Sequence, residues 1–307
     1  MSFRQKGFTL IELAITLVIL GILIGGGIPL LSALISQKKR SDTISYMEDV
    51  KEAIINFAEI NGRLPFADRN GDGMEDRNTY SGFLPYATLS VRPVDSYSRR
   101  LKYELNRSLG RDRYTTCNAL KNGISGNPKV VDANGSSRAF SVSFVIVSAG
   151  AKDADRDGNV FDKISSGSYT GDNTDGRPNY ISHPPTDRFD DIVVYAGPYE
   201  IYSKICEFVS LAVNNKGSKT AYIYDATHGI DIGILSSGKS GIYQILSGTK
   251  IEIRDRPGGR GRIINTDPPN PIIVAGRGVT INIESTTSGG RPLPRPIPIP
   301  RPIRPFR

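Results

Sequence analysis

Tryptophan is absent, and the 307 residues include only two cysteines, two histidines and three methionines. Cys117 and Cys206 stand far apart and have no metal-ligand spacing, which excludes the common Cys/His zinc arrangements. His183 lies beside prolines and His228 in a glycine turn. Neither has a nucleophile or metal partner marked by spacing, and no two aspartates are marked as a general acid and base. An enzyme is therefore not expected. Net positive charge is scarce in the body of the chain, despite a formal charge of +8. Arg4 and Lys6 fall in the first seven residues, and Arg291, Arg295, Arg301, Arg304 and Arg307 fall in the last seventeen, with no acid among them. What remains is close to neutral, so the body is not a basic surface.

Long apolar runs are also missing, with one exception. From Phe8 to Ile35 the chain is almost wholly apolar, long enough as a helix to cross a bilayer core of about 30 Å. A lone acid, Glu12, interrupts it. Such a group costs about 2.5–3.5 kcal/mol at mid-membrane and needs a partner or a task. A secretory signal would be shorter, would lack the acid and would end in an A-x-A-like site. Gly21, Gly25–Gly27 and Pro29 weaken the helix between two firm segments, or let helices pack closely in lipid. Arg4 and Lys6 precede the run while Lys38, Lys39 and Arg40 follow it, so the charge rule leaves its orientation open.

The order Gly7-Phe8-Thr9-Leu10-Ile11-Glu12 followed by an apolar helix resembles the class III leader of type IV pilins and type II secretion pseudopilins. The resemblance implies cleavage after Gly7 by a prepilin peptidase, methylation of Phe8, and assembly roles for Glu12, Gly21 and Pro29. It places the leader in the cytoplasm. It further implies a single-pass precursor in a bacterial inner membrane with its globular part outside, later a periplasmic or extracellular filament. The implied partners are other pilin or pseudopilin subunits, the peptidase, the inner-membrane assembly platform and the membrane itself. In a parallel bundle, the amine of one subunit can neutralise Glu12 of the next.

The expected fold is α+β: a long membrane-spanning helix on an antiparallel sheet, the pilin fold, plus a small all-β domain and a disordered tail. The domains read as leader 1–7, helix 8–61 with 8–35 in the membrane, globular domain 62–213, β domain 214–286 and Pro/Arg-rich tail 287–307. Met47, Val50, Ile54 and Phe57 mark one apolar stripe, and Asn61-Gly62 ends the helix. Gly82–Leu89 and Asp95-Ser96-Tyr97 resemble a group of pilin-like proteins and read as packing residues. Ile201, Ile205, Phe208, Val209 and Ala212 fit one helix face.

Two acidic stretches suggest calcium as a cofactor. Asp68, Asn70 and Asp72 before Gly73 match the opening of a D-x-[DN]-x-[DN]-G loop, although position twelve is Thr79. Asp153, Asp155 and Asp157 follow a buried-strand pattern at 139–149, and Asp162, Asp172, Asp175, Asp187, Asp190 and Asp191 come after. The order Ser148-Ala149-Gly150, acidic loop, Asp190-Asp191-Ile192 resembles the calcium loop of the major pseudopilin. Asp153, Asp155, Asp157, Asp190 and Asp191 are its candidate ligands; a solvated turn or loop is the competing reading for both stretches. An exported chain could join Cys117 to Cys206, or keep two buried thiols.

Beyond residue 220, short strand-like runs alternate with glycine turns, predicting a small sandwich or barrel. Gly233–Ser240 matches the phosphate-loop pattern letter for letter. Strand-like residues follow it where a helix is required, so a turn is expected. The tail reads as polyproline II. The leading expectation is a structural subunit, minor or specialised, of a pilus-like filament or secretion pseudopilus. The alternative is a filament-displayed adhesin or DNA-uptake receptor using the β domain or tail, with nucleic acid the weaker partner.

Overall fold

The computed structural model describes residues 9–139, 141–166, 169–173, 179–276 and 278–284, without the side chains of 23–30, 165–166 and 169–172. The expected processing pair Gly7 and Phe8, and the tail 287–307, lie outside the described residues. The chain forms two compact units, Met1–Cys206 and Glu207–Arg307.

The first unit opens with α1 (Leu10–Asn61), an unbroken helix of 52 residues, about 78 Å long at 1.5 Å per residue. It begins in a capping box. Thr9 Oγ1 accepts the Glu12 N–H at 3.3 Å, and Glu12 Oε2 accepts both the N–H and the hydroxyl of Thr9 at 2.9 Å. It ends at Gly62, whose φ of 71° allows the left-handed cap. Met47, Val50, Ile54 and Ala58 are fully buried, giving the helix one sealed face at steps of three and four.

The strands β1 (Ser81–Phe83) and β2 (Lys102–Leu105), the helix α2 (Arg113–Asn122), and the short strands β3 (Lys129–Val131) and β4 (Ser137–Ala139) follow. Then come β5 (Phe144–Ser148), β6 (Lys163–Ser166), β7 (Tyr169–Asp172), β8 (Asn179–Ile181), β9 (Ile192–Ala196) and α3 (Pro198–Ile205). The antiparallel sheet β1-β2-β5-β9 carries the α1 face, with β5 buried along its whole length. Smaller sheets β4-β3-β8 and β6-β7 sit beside it. A disulfide joins Cys117 on α2 to Cys206 at the end of α3, so the pairing left open by the sequence is made.

One expectation falls partly outside the described residues, and one changes. Among the described residues no helix is long and apolar enough to cross a membrane. The span expected over 8–35 is interrupted in the description by side chains 23–30, and the apolar pieces on either side are each shorter than the roughly 20 residues a crossing needs. Second, the helix ends at Ile205; Phe208, Val209 and Ala212 belong to a strand, moving the boundary from 213 to 206. Val209, Leu211 and Val213 are buried while Ser210 is exposed, a period of two that an overlapping helical match had obscured.

That strand, β10 (Phe208–Asn215), opens the second unit. It is followed by β11 (Ala221–Asp225), β12 (Ile230–Leu235), β13 (Ser240–Leu246), β14 (Thr249–Arg254), β15 (Thr266–Asp267), β16 (Ile272–Val274) and β17 (Val279–Ile283). Two four-stranded sheets, β13-β10-β17-β15 and β12-β11-β14-β16, share one aliphatic core of Leu211, Val213, Ile223, Ile251, Ile253 and Ile281. The phosphate-loop lookalike covers the end of β12, the turn after it and the first residue of β13. There Gly238 N donates to Asn215 O, Lys239 N donates to Ser236 O, and the chain runs on as strand. A phosphate loop needs a helix at that point.

Candidate assembly helix and metal centre

At the head of α1, the Glu12 carboxylate is turned back onto its own first turn. It accepts two hydrogen bonds from Thr9, and the Thr16 hydroxyl donates to the Glu12 carbonyl at 2.8 Å. The T-x-x-E capping spacing was present in the sequence and is what positions the acid. Gly21 sits within the unbroken helix, and a methyl group there would touch nothing within 4 Å. Its lack of a side chain is therefore not demanded by packing inside one copy. Pro29 is also within the helix, its side chain outside the described residues.

The acidic loop between β5 and β9 is built by its neighbours. Asp95 is buried; its Oδ1 accepts the N–H groups of Tyr97 and Arg99, and its Oδ2 accepts the Ser148 hydroxyl at 2.5 Å. This turn aims Arg99, whose guanidinium donates to the carbonyls of Ala149, Ala151 and Val160. From α1, Arg40 Nη1 donates to the Asp190 carbonyl at 2.9 Å. Residues read from the sequence as mere packing thus hold the loop in shape.

Within it, one carboxylate oxygen from each of Asp162, Asp190 and Asp191 lies within 4.8 Å of the others, and all three residues are buried. Asp153, Asp155 and Asp162 form a second such group, so Asp162 belongs to both. Asp162 accepts the N–H groups of Ala154 and Asp190, each at 2.6 Å. Asp191 Oδ2 accepts Asn173 Nδ2 at 2.8 Å. Burial, reinforced by the charges of Asp162 and Asp190, pushes Asp191 up to about 8 despite that hydrogen bond. Burial likewise raises Asp162. Asp190 is 8% exposed; its Oδ2 accepts the N–H groups of Ala151 and Lys152, while its Oδ1 is buried without any partner. Three buried acids with an orphaned oxygen among them are costly unless a cation meets them. Oxygen-only donors of this kind suit a hard divalent ion such as calcium.

Gly150 closes the site. Its φ is +60°, and a Cβ there would stand 2.3 Å from Asp190 Oδ1 and 2.5 Å from Asp190 O. Gly150→Ala is expected to cost about 2 kcal/mol or more, read as a drop in thermal midpoint. A midpoint equal to the parent's would show that the loop has room which this geometry denies.

The other candidate ligands are placed differently. Asp157 is exposed, accepts Asn159 N at 2.8 Å and joins neither group. Asp68 is buried, but its two oxygens accept Gly71 N at 2.6 Å and Gly73 N at 2.7 Å, while Asn70 and Asp72 bond within the same turn. This loop satisfies its own carboxylates, as an Asx turn does. Asp162, absent from the expected ligands, stands at the centre instead. Its signal was its place as the last acid before β6.

No curated protein and no solved structure matches the chain. Residues 2–28 match the family described as the prokaryotic N-terminal methylation motif. This match covers the segment that leads into α1 and contains Glu12. The chain therefore carries the N-terminal signal of type IV pilin and pseudopilin precursors.

Proposed function

We propose that this chain is a structural subunit, minor or specialised, of a type IV pilus-like filament or type II secretion pseudopilus. A prepilin peptidase cuts after Gly7 and methylates Phe8, and the mature helix from Phe8 to Ile35 spans the inner membrane before polymerising. The observation that carries this reading is the methylation motif at residues 2–28, running into an unbroken helix whose upper half lies on an antiparallel sheet. The role is architectural and not enzymatic. Calcium is proposed as a structural ion held by Asp162, Asp190 and Asp191, with Asp153 and Asp155 on its flank; when bound it neutralises their charge. A displayed binding role for the second unit is the other reading, favoured by its separate core.

Intact-mass analysis tests the leading reading. In membranes that contain the processing enzyme, the chain should lose residues 1–7 and gain one methyl group at Phe8. A full-length, unmethylated chain beside an active peptidase would overturn the proposal.

A further inference from the structure

The face of α1 turned away from the core carries Glu48, Glu52 and Glu59, which the helical repeat places within about 40° of one another. All three are exposed, and none forms an ion pair among the described residues. Lys51, the nearest cation in sequence, is engaged by Glu200 at 2.6 Å. Glu48 and Glu52, four residues apart, repel each other within the helix. An unpaired acidic stripe on a long helix is therefore a cost to the isolated subunit.

The same unit holds a basic cleft of about 810 Å³, walled by β2 and the turns beside it. Arg69, Lys102 and Arg107 line it, together with Asn78 and Asn127. Arg107 is exposed and lies 5.4 Å from the Tyr80 ring centroid, which fixes its plane and leaves its donors open. Arg69 Nη2 donates to the Thr79 hydroxyl. Neither guanidinium pairs with a carboxylate among the described residues, although the Arg69 backbone N–H donates to Asp76 Oδ2 at 2.7 Å. Glu104, the one acid in the lining, is occupied by the Tyr180 hydroxyl. Within one copy the stripe and the cleft form no ion pair with each other.

We infer that the acidic stripe of one copy docks into the basic cleft of the next. The two surfaces differ, so the contact is heterologous. Repeated from copy to copy it propagates instead of closing into a dimer, as a helical filament requires. The inference rests on the filament reading and names the lateral contact of that assembly.

Charge exchange in cells that assemble the filament from the full chain tests it. Glu48→Arg with Glu52→Arg, and separately Arg69→Glu with Arg107→Glu, should each lower sheared filament per processed subunit by about tenfold or more. All four changes together should restore it to within about threefold of the parent, because the attraction is rebuilt with its sign reversed. Glu52→Cys combined with Arg107→Cys should give a ladder of oxidised multimers. Processing and closure of the Cys117–Cys206 bond report that each variant folds. The milder pair Glu48→Gln and Glu52→Gln covers a reversal that fails this check and should show a smaller loss. Folded reversal variants that assemble normally, a quadruple variant that stays defective, or cross-linking that stops at dimers would overturn the contact. If Glu12→Ala still blocks assembly in that event, the filament reading stands without it; if Glu12→Ala assembles, the filament reading itself has failed.

Discussion

Glu12→Ala should abolish incorporation into filaments while leaving cleavage after Gly7 intact. The acid lies in the first turn of α1, where it accepts two hydrogen bonds from Thr9. Without a charged partner, a carboxylate in lipid costs about 2.5–3.5 kcal/mol, and an incoming amine from the next subunit would recover that loss. Removal of the acid forfeits the pairing, so incorporation should fall by roughly 70- to 350-fold on the same scale. The cap is a separate contribution. Thr9→Val keeps the acid and loses only the capping hydroxyl, worth about 1 kcal/mol, and should lower incorporation by about fivefold. Assembly is scored as sheared filament per processed subunit. Equal losses in the two variants would mean that Glu12 acts only as a helix cap, and the pairing argument would fall.

Calcium should raise the thermal midpoint of the mature full-length protein in detergent by about 5–10 °C at an ion concentration near a hundred times its dissociation constant. This follows from a linkage gain of about 2.7 kcal/mol and a shift of about 2–4 °C per kcal/mol for a unit of this size. Asp190→Asn provides the sharper result because its sign changes with the ion. In chelator, a neutral amide at position 190 removes the cost of a buried, half-partnered carboxylate beside Asp162 and Asp191, so the variant should melt higher than the parent. In calcium it lacks a charged ligand and should melt lower. Asp72→Asn, in the turn that satisfies its own acids, should leave the calcium shift unchanged. A parent that ignores calcium, or an Asp190→Asn variant that still gains the full shift, would end the metal assignment.

How much of this was legible in the sequence varies with the range of the interaction concerned. Local periodicity was enough for α1: the stripe from Met47 to Ile54 and the Asn61-Gly62 end are both in place. The sandwich-like arrangement of the second unit also followed from short strand-like runs and glycine turns. The helix expected through Ala212 did not survive. Residues 208–215 satisfy a helical match by coincidence, and only pairing with β13 and β17 makes them a strand. For the acidic loop, spacing identified the region but not which acids the fold brings together. Asp157 fits the loop pattern yet faces solvent, whereas Asp162 is brought beside Asp190 and Asp191 by a contact 28 residues away in the chain. The bracing by Asp95 and Arg99 is likewise long-range, with Arg99 reaching carbonyls 50 to 61 residues on.

The bond between Cys117 and Cys206 spans 89 residues and ends at the last residue of the first unit. Tension applied to the second unit reaches Cys206 first, and there the covalent path forks. One branch passes through sulfur to α2 and then toward α1; the other runs back through α3, β9, the acidic loop and β5. The sulfur branch is much the shorter, so it becomes taut first and takes the strain. The enclosed stretch, with Asp153, Asp162 and Asp190 inside it, is shunted out of the load path and keeps its shape while the subunit is pulled.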